Sequence, residues 1–258
     1  MWDFEHGSAG RHFQITYTVP SACAQELAEG RADIGIIPSA AYASIPGLVI
    51  VPGVAIASRG AVRSILLVSR KPIEQIQSIA LDSSSMTSVA LVRILFAKWW
   101  GGERRFEPFA PDLDAMLAAH DAALLIGDRA LAVDRSRYQT WDLAEEWIRF
   151  TGKAFVFAFW AVREDAVKKT GLELGAIFQE SRDHGLEAEN RRTIARIWAQ
   201  KLGLEAGEIE RYLQENIYYF LDPGGLAGLE LFYRYAAELK ILPAMGGLHF
   251  LAARPALI

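Results

Sequence analysis

Short apolar runs rich in Ile, Val and Leu recur along the chain, each closed by a proline, a glycine or a polar turn. Three follow one another at residues 33–38, 48–52 and 64–69. Runs of this length are typical of buried β-strands. A further strand is predicted at residues 13–19, where apolar and polar residues alternate, and a helix at residues 23–27. Strands that are apolar on both faces and alternate with helices indicate an α/β fold with a mainly parallel sheet.

The same alternation restarts near residue 78 and continues to a very apolar run near residue 155. From Glu164 onward, the apolar residues recur only at helical spacing, which predicts a helical C-terminal segment. The elements predicted in this part are strands at 78–81, 122–126 and 154–162 and helices at 87–100 and 112–119.

We therefore predict an α/β protein of two lobes joined by two crossovers, with a ligand cleft between the lobes. Residues 1–76 are the first part of lobe I, and residues 77–153 are lobe II. Residues 154–258 are the return strand and the C-terminal helices that complete lobe I. A chain of 258 residues is long enough for two such cores.

Composition excludes several classes of function. With 31 acidic and 27 basic residues and no basic stripe, the chain is not expected to bind nucleic acid. The single cysteine, Cys23, cannot form an internal disulfide, and neither it nor the five histidines show metal-ligand spacing. Every apolar run is shorter than the roughly 20 residues that span a bilayer. The residues after Met1 do not resemble a signal peptide, so a cytoplasmic location is predicted.

A polar run between a predicted strand and a predicted helix is the strongest local signal. It starts at Asp82, contains Ser84, Ser85, Thr87 and Ser88, and opens the helix at 87–100. Free backbone N–H groups, the helix dipole and several hydroxyls together favour a bound carboxylate or phosphate. Because a Gly-rich loop and its lysine are absent, a small carboxylate is favoured over a nucleotide. The alternative is that one hydroxyl caps the helix and the others are solvated.

Two further positions lie at strand ends. Gly127 and Asp128 follow a buried strand, where open α/β sheets bind ligands, although the sequence alone favours Asp128 as a cap of the next turn. Ser64 begins another strand and could donate a hydrogen bond to a ligand, but a lone strand serine is usually structural. No Gly-x-Ser-x-Gly motif surrounds Ser64, so a hydrolase triad is not indicated.

Several stretches taken together resemble one enzyme family. They are residues 27–38, 51–56, 62–69, 80–89, 122–128 and 142–158. In order and spacing, the sequence resembles the chorismate dehydratases of the futalosine route to menaquinone. This resemblance implies a type II periplasmic-binding-protein-like fold. It also implies a cytoplasmic lyase that removes water from chorismate, giving 3-[(1-carboxyvinyl)oxy]benzoate without a metal or an organic cofactor.

The resemblance also implies roles for single residues. Ser64 occupies the position of the serine that hydrogen-bonds the departing hydroxyl. Ser84, Ser85, Thr87 and Ser88 occupy the loop that holds a carboxylate, although Met86 stands where family members often have arginine. Since the matched motifs contain no strong general base, we interpret the substrate's own enolpyruvyl carboxylate as the acceptor of the C3 proton.

The family pattern begins with a strand and an asparagine that partners the serine at position 64, both before the equivalent of Trp2. We therefore expect a chain starting at Met1 to be less stable by several kcal/mol, from lost hydrogen bonds and apolar burial, and to be weakly active. Two alternatives stay open. One is the sibling enzyme of the same pathway that makes a dihydroxynaphthoate, and the other is a module that binds a small carboxylate without chemistry.

Overall fold

The computed structural model describes residues 1–252 and contains eight strands in two sheets, surrounded by helices. The strands are β1 (Ile34–Pro38), β2 (Leu48–Ser58), β3 (Ile65–Ser69), β4 (Ser78–Asp82), β5 (Arg105–Phe109), β6 (Ala122–Ile126), β7 (Gln139–Asp142) and β8 (Phe155–Arg163). The α-helices are α1 (Trp2–His6), α2 (Pro20–Ala28), α3 (Ser39–Tyr42), α4 (Thr87–Leu95), α5 (Leu113–Ala119), α6 (Gly127–Leu131), α7 (Leu143–Thr151), α8 (Glu164–Val167), α9 (Leu174–Leu186), α10 (Ala188–Leu202), α11 (Ala206–Arg211) and α12 (Pro223–Glu238). Short 3₁₀ turns lie at Ala9–His12 and Ile73–Gln75, and π turns at Phe96–Trp100 and Tyr212–Asn216.

Sheet A belongs to lobe I and has the order β1-β8-β2, with β8 antiparallel to both neighbours. Sheet B belongs to lobe II and has the order β5-β4-β6-β3-β7. Only β4, β5 and β6 run parallel, and β3 is antiparallel to β6 and β7. The prediction of a mainly parallel sheet is therefore wrong. The strands β3 and β8 connect the lobes, and each runs opposite to the strands beside it in the sheet that it joins.

The predicted strand at residues 13–19 is also wrong, because this segment joins neither sheet and Pro20 begins α2 directly after it. Conversely, the sequence pattern missed β5 and β7. Both are edge strands of sheet B with several exposed or half-exposed residues, so neither contains an apolar run. The predicted helix at 87–100 is α-helical only to Leu95 and continues as a π turn.

The chain changes sheet twice, between Ser58 and Ile65 and again between Asp142 and Phe155. The first passage from sheet A to sheet B comes before residue 76, the predicted end of the first part of lobe I. The reason is that β3 pairs with β6 and β7 in sheet B. We call residues 59–64 the first crossover. Residues 253–258 of the predicted third segment lie outside the described residues.

Helix α4 lies between the lobes and joins their cores. One continuous cluster of buried side chains includes Leu67 and Leu81 of sheet B, Leu91 of α4 and Phe159 of sheet A. The opposite face of sheet B is covered by α5, whose Met116 packs beside the inward-facing side chains of β3 and β6. Shared burial through α4 therefore fixes the N-terminus of this helix at the boundary between the lobes. None of the helices within residues 1–252 is long and apolar enough to cross a membrane.

Candidate functional site

Sheet topology brings the predicted site segments to one end of sheet B, where β4 and β6 finish. We call this end of the sheet the site edge. Strands β4 and β6 run parallel and end at that edge, whereas the antiparallel β3 begins there, with Ile65 paired to Ile126. Ser64, the polar run after Asp82 and the pair Gly127 and Asp128 therefore lie at the same edge. Ligands commonly bind at the carboxyl ends of strands in α/β sheets.

The hydroxyl of Thr87 links this edge to lobe I. Its Oγ1 donates to the carbonyl of Phe157 at 3.0 Å and accepts from the backbone N–H of Ala40 at 3.1 Å. The donor of Thr87 is thus used within the protein, and the side chain is buried. Thr87 fixes the start of α4 against sheet A, and its hydroxyl is not free to bind a carboxylate.

Ser84 is also engaged by a neighbour. Its backbone N–H and its hydroxyl both donate to Oδ1 of Asp82, at 2.9 and 2.6 Å. The Asp82 side chain is buried, so these bonds satisfy a carboxylate that would otherwise lack partners. Of the four hydroxyl residues predicted to bind a carboxylate, Ser84 and Thr87 instead shape the turn.

The other two hydroxyls stay available. In the part of the chain that the structure describes, no protein group hydrogen-bonds the Ser85 or Ser88 hydroxyl, and no side chain caps α4, whose N-cap is the exposed Met86. The first backbone N–H groups of an uncapped helix have no intrahelical partner, and the helix dipole makes this end positive. Ser85, Ser88 and the first turn of α4 together offer donors to one carboxylate.

Ser64 is held by two contacts at the start of β3 and is only 6% exposed. Its backbone carbonyl accepts from the N–H of Gly127 at 2.8 Å. Its Oγ accepts a hydrogen bond from the hydroxyl of Tyr212 at 2.9 Å. The sequence did not indicate Tyr212, which is 148 residues further along the chain and carries no motif.

Tyr212 is the donor in this pair. Burial is the main cause that raises the pKa of Tyr212, and the negative charge of Asp128 raises it further. The phenol therefore keeps its proton near neutral pH.

Gly127 and Asp128 lie beside Ser64. Gly127 has a φ of +61°, a conformation that glycine adopts without strain, and it allows the turn from β6 into α6. The interpretation of Asp128 as a cap is wrong, because the N-cap of α6 is Ile126 and no side chain caps this helix. Asp128 is instead exposed at this end of sheet B, where its negative charge raises the pKa of Tyr212.

The residue before Ser64 has an unusual backbone. Arg63 has a φ of 64°, which is rare for a residue with a side chain. Its N–H donates to Oδ2 of Asp142 at 2.6 Å, its carbonyl accepts from Arg135, and its guanidinium pairs with Glu208. These contacts hold the first crossover in the shape that presents Ser64 at the edge.

The site has no protein group arranged for metal binding. Within residues 1–252, no three His, Cys, Asp or Glu side chains come together in a suitable cluster. The donors at the edge are hydroxyls and backbone N–H groups, which suit an organic anion better than a cation.

Comparison with known proteins agrees with the two-lobed architecture. A crystal structure of an Archaeoglobus fulgidus protein superposes with a TM-score of 0.68 at 18% identity, covering 88% of this chain and 86% of that one. The alkanesulfonate-binding protein SsuA of Xanthomonas axonopodis pv. citri, bound to MOPS, superposes with a TM-score of 0.60 at 15% identity, covering 89% and 83%. At these identities the likeness shows the fold alone, and it confirms the periplasmic-binding-protein-like fold.

Sequence comparison is more specific. A chorismate dehydratase of Thermus thermophilus is 28% identical over 238 residues, which cover 85% of each protein. Residues 1–238 match the sequence profile of a family described as menaquinone biosynthesis. Because that match spans most of the chain, the protein belongs to the menaquinone biosynthesis family.

Proposed function

We propose that the protein is a chorismate dehydratase, a lyase that eliminates water from chorismate to form 3-[(1-carboxyvinyl)oxy]benzoate. The observation that carries the proposal is that the Ser64 hydroxyl and the uncapped N-terminus of α4 lie at the same end of sheet B. A substrate that carries both a leaving hydroxyl and carboxylates fits such a pair. Family membership and the Thermus thermophilus relative support the same reaction.

The elimination balances without a cofactor. The electron pair of the C3–H bond becomes the C3–C4 double bond, and the C4–O bond breaks toward the hydroxyl oxygen. The C3 proton passes to the enolpyruvyl carboxylate of the substrate and from there to the departing hydroxyl. The hydroxyl therefore leaves as water, and the carboxylate ends in its original ionised form. Since the ring becomes aromatic, the protein has mainly to position the substrate and to exclude bulk water.

Each group at the edge has a proposed task. The Ser64 hydroxyl donates to the departing C4 oxygen, where negative charge develops in the transition state. Ser85, Ser88 and the first turn of α4 bind a substrate carboxylate. Asp128, beside Gly127, accepts from the hydrogen of the same C4 hydroxyl, the single hydroxyl of chorismate, and so sets the orientation of the ring. The cytoplasmic location and the futalosine route belong to this proposal.

Replacement of Ser64 tests the proposal. We expect Ser64→Ala to lower kcat for chorismate by about 100-fold, because a positioned donor to the leaving oxygen is lost. A matched control is Ser69→Ala at the other end of β3. Its buried hydroxyl donates to the backbone carbonyl of Asp121 at 2.8 Å, away from the site edge.

Product formation would be followed by chromatography and folding by thermal melting. The control is expected to lower the melting temperature while kcat stays within about twofold. Equal turnover by wild type and Ser64→Ala would remove Ser64 from the mechanism. Saturable binding of chorismate by the wild type with no product would instead favour the non-catalytic binding module.

A further inference from the structure

The hydrogen bond between Tyr212 and Ser64 joins the C-terminal helical segment to the first residue before β3. Among the described residues, neither hydroxyl has a second hydrogen-bond partner. The pair lies beside Gly127 and Asp128, so it belongs to the site edge.

The direction of this hydrogen bond decides where the Ser64 proton points. A phenol is a better donor and a weaker acceptor than an aliphatic hydroxyl, and the half-buried Tyr212 stays protonated near neutral pH. Tyr212 therefore donates and Ser64 accepts, at 2.9 Å. The remaining hydrogen of Ser64 has no acceptor in the described protein and is free for a ligand.

Tyr212 is itself placed by contacts between its helical segment and the first crossover. Glu208 pairs with Arg63 at 2.9 Å, and the amide of Asn216 donates to the carbonyl of Ala61 at 2.8 Å. Tyr212 lies between these contacts, where the helix widens into the π turn Tyr212–Asn216. Single π turns occur frequently at functional sites, where they direct one side chain differently from its neighbours.

We infer that Tyr212 is a positioning residue for the proposed dehydration, which orients the Ser64 hydroxyl so that its proton points to the leaving oxygen of the substrate. This inference rests on the proposed function. Tyr212 does not contact the substrate in this scheme. Its donated hydrogen bond fixes the Ser64 rotor and, through hydrogen-bond cooperativity, makes Ser64 a stronger donor.

The variant Tyr212→Phe removes the phenol oxygen and keeps the ring. We expect kcat for chorismate to fall about 10-fold while KM changes less than about twofold, since the lost contact matters most when charge develops on the leaving oxygen. The control Tyr42→Phe also removes a buried tyrosine hydroxyl. That hydroxyl accepts from the backbone N–H of His249 in lobe I, so kcat is expected to stay unchanged.

A double-mutant cycle separates positioning from general stability. In the Ser64→Ala background, Tyr212→Phe should lower kcat no further, because there is no hydroxyl left to orient. An equal loss in both backgrounds, or a rise in KM with kcat unchanged, would overturn the inference. If wild type makes no product from chorismate, the proposed function fails. If wild type turns over and Tyr212→Phe matches it, only the role of Tyr212 fails.

Discussion

Asp142 is not one of the proposed substrate-binding residues, yet it holds the backbone next to Ser64 in place. Its Oδ1 accepts from the N–H groups of Val62, Ala144 and Glu145, and its Oδ2 from that of Arg63. One carboxylate thus caps α7 and also holds the first crossover. It thereby joins the two places where the chain passes between the sheets, since α7 lies between Asp142 and Phe155. Burial is the main influence on this group and raises the pKa of Asp142, while the four donors oppose that rise. The positive φ of Arg63, and through it the place of Ser64, depends on this anchor.

We expect Asp142→Asn to destabilise the protein by about 2 kcal/mol, because an amide nitrogen would then face at least one backbone N–H as donor against donor. Urea unfolding measures the change. Asp114→Asn is the matched control, since Asp114 is an exposed residue in the first turn of α5 and should change stability by less than about 0.5 kcal/mol. Equal stability of the two variants would show that Asp142 is not an anchor.

Among the elements of sheet B, three chain segments at the end opposite the candidate site are joined by Asp121, which lies just before β6. Its carboxylate accepts from the N–H groups of Gln77 and Ser78 at 2.9 and 3.1 Å, and it pairs with Lys71. The hydrogen bond from Lys71 is the largest of the influences that lower the pKa of Asp121 to about 2. This one residue connects the starts of β4 and β6 with the turn after β3.

The lowered pKa of Asp121 gives a pH dependence with a definite sign. A carboxyl whose pKa falls on folding stabilises the native state above its unfolded value of 3.8, and this contribution is lost as the pH falls through about 2. After allowance for solvent screening, Asp121→Asn should cost about 1 kcal/mol at neutral pH and progressively less in acid. Urea unfolding at several pH values measures this. A difference between variant and wild type that does not change with pH would contradict the assignment.

Elements with an apolar run were predictable, and those without one were not. Sequence pattern placed β1, β3, β4, β6 and β8 to within a residue or two, because each carries buried side chains along its length. The edge strands β5 and β7 gave no such pattern, since few of their side chains are buried. The sequence also could not predict whether neighbouring strands are parallel or antiparallel. An apolar run shows that a strand is buried but not in which direction it crosses the sheet.

In the molecule as a whole, the candidate site lies where the two lobes meet at α4. The sequence predicted Ser64 and the polar run before this helix because strand ends and helix starts have local signatures. It did not predict that Ser84 and Thr87 would be used internally. The partner of Ser84 is Asp82, only two residues before it in a local turn, whereas the partner of Thr87 is Phe157, which only tertiary folding brings near. Tyr212 was beyond prediction for the same reason, because only folding brings it to Ser64.

We propose that this two-lobed protein converts chorismate instead of only binding it. The most direct test is to incubate the purified protein with chorismate and to identify the product by chromatography and mass spectrometry. We expect one aromatic product for each chorismate consumed, lighter by one water and identical to 3-[(1-carboxyvinyl)oxy]benzoate. Recovery of unchanged chorismate from a folded protein that binds it saturably would show that the protein binds chorismate without converting it.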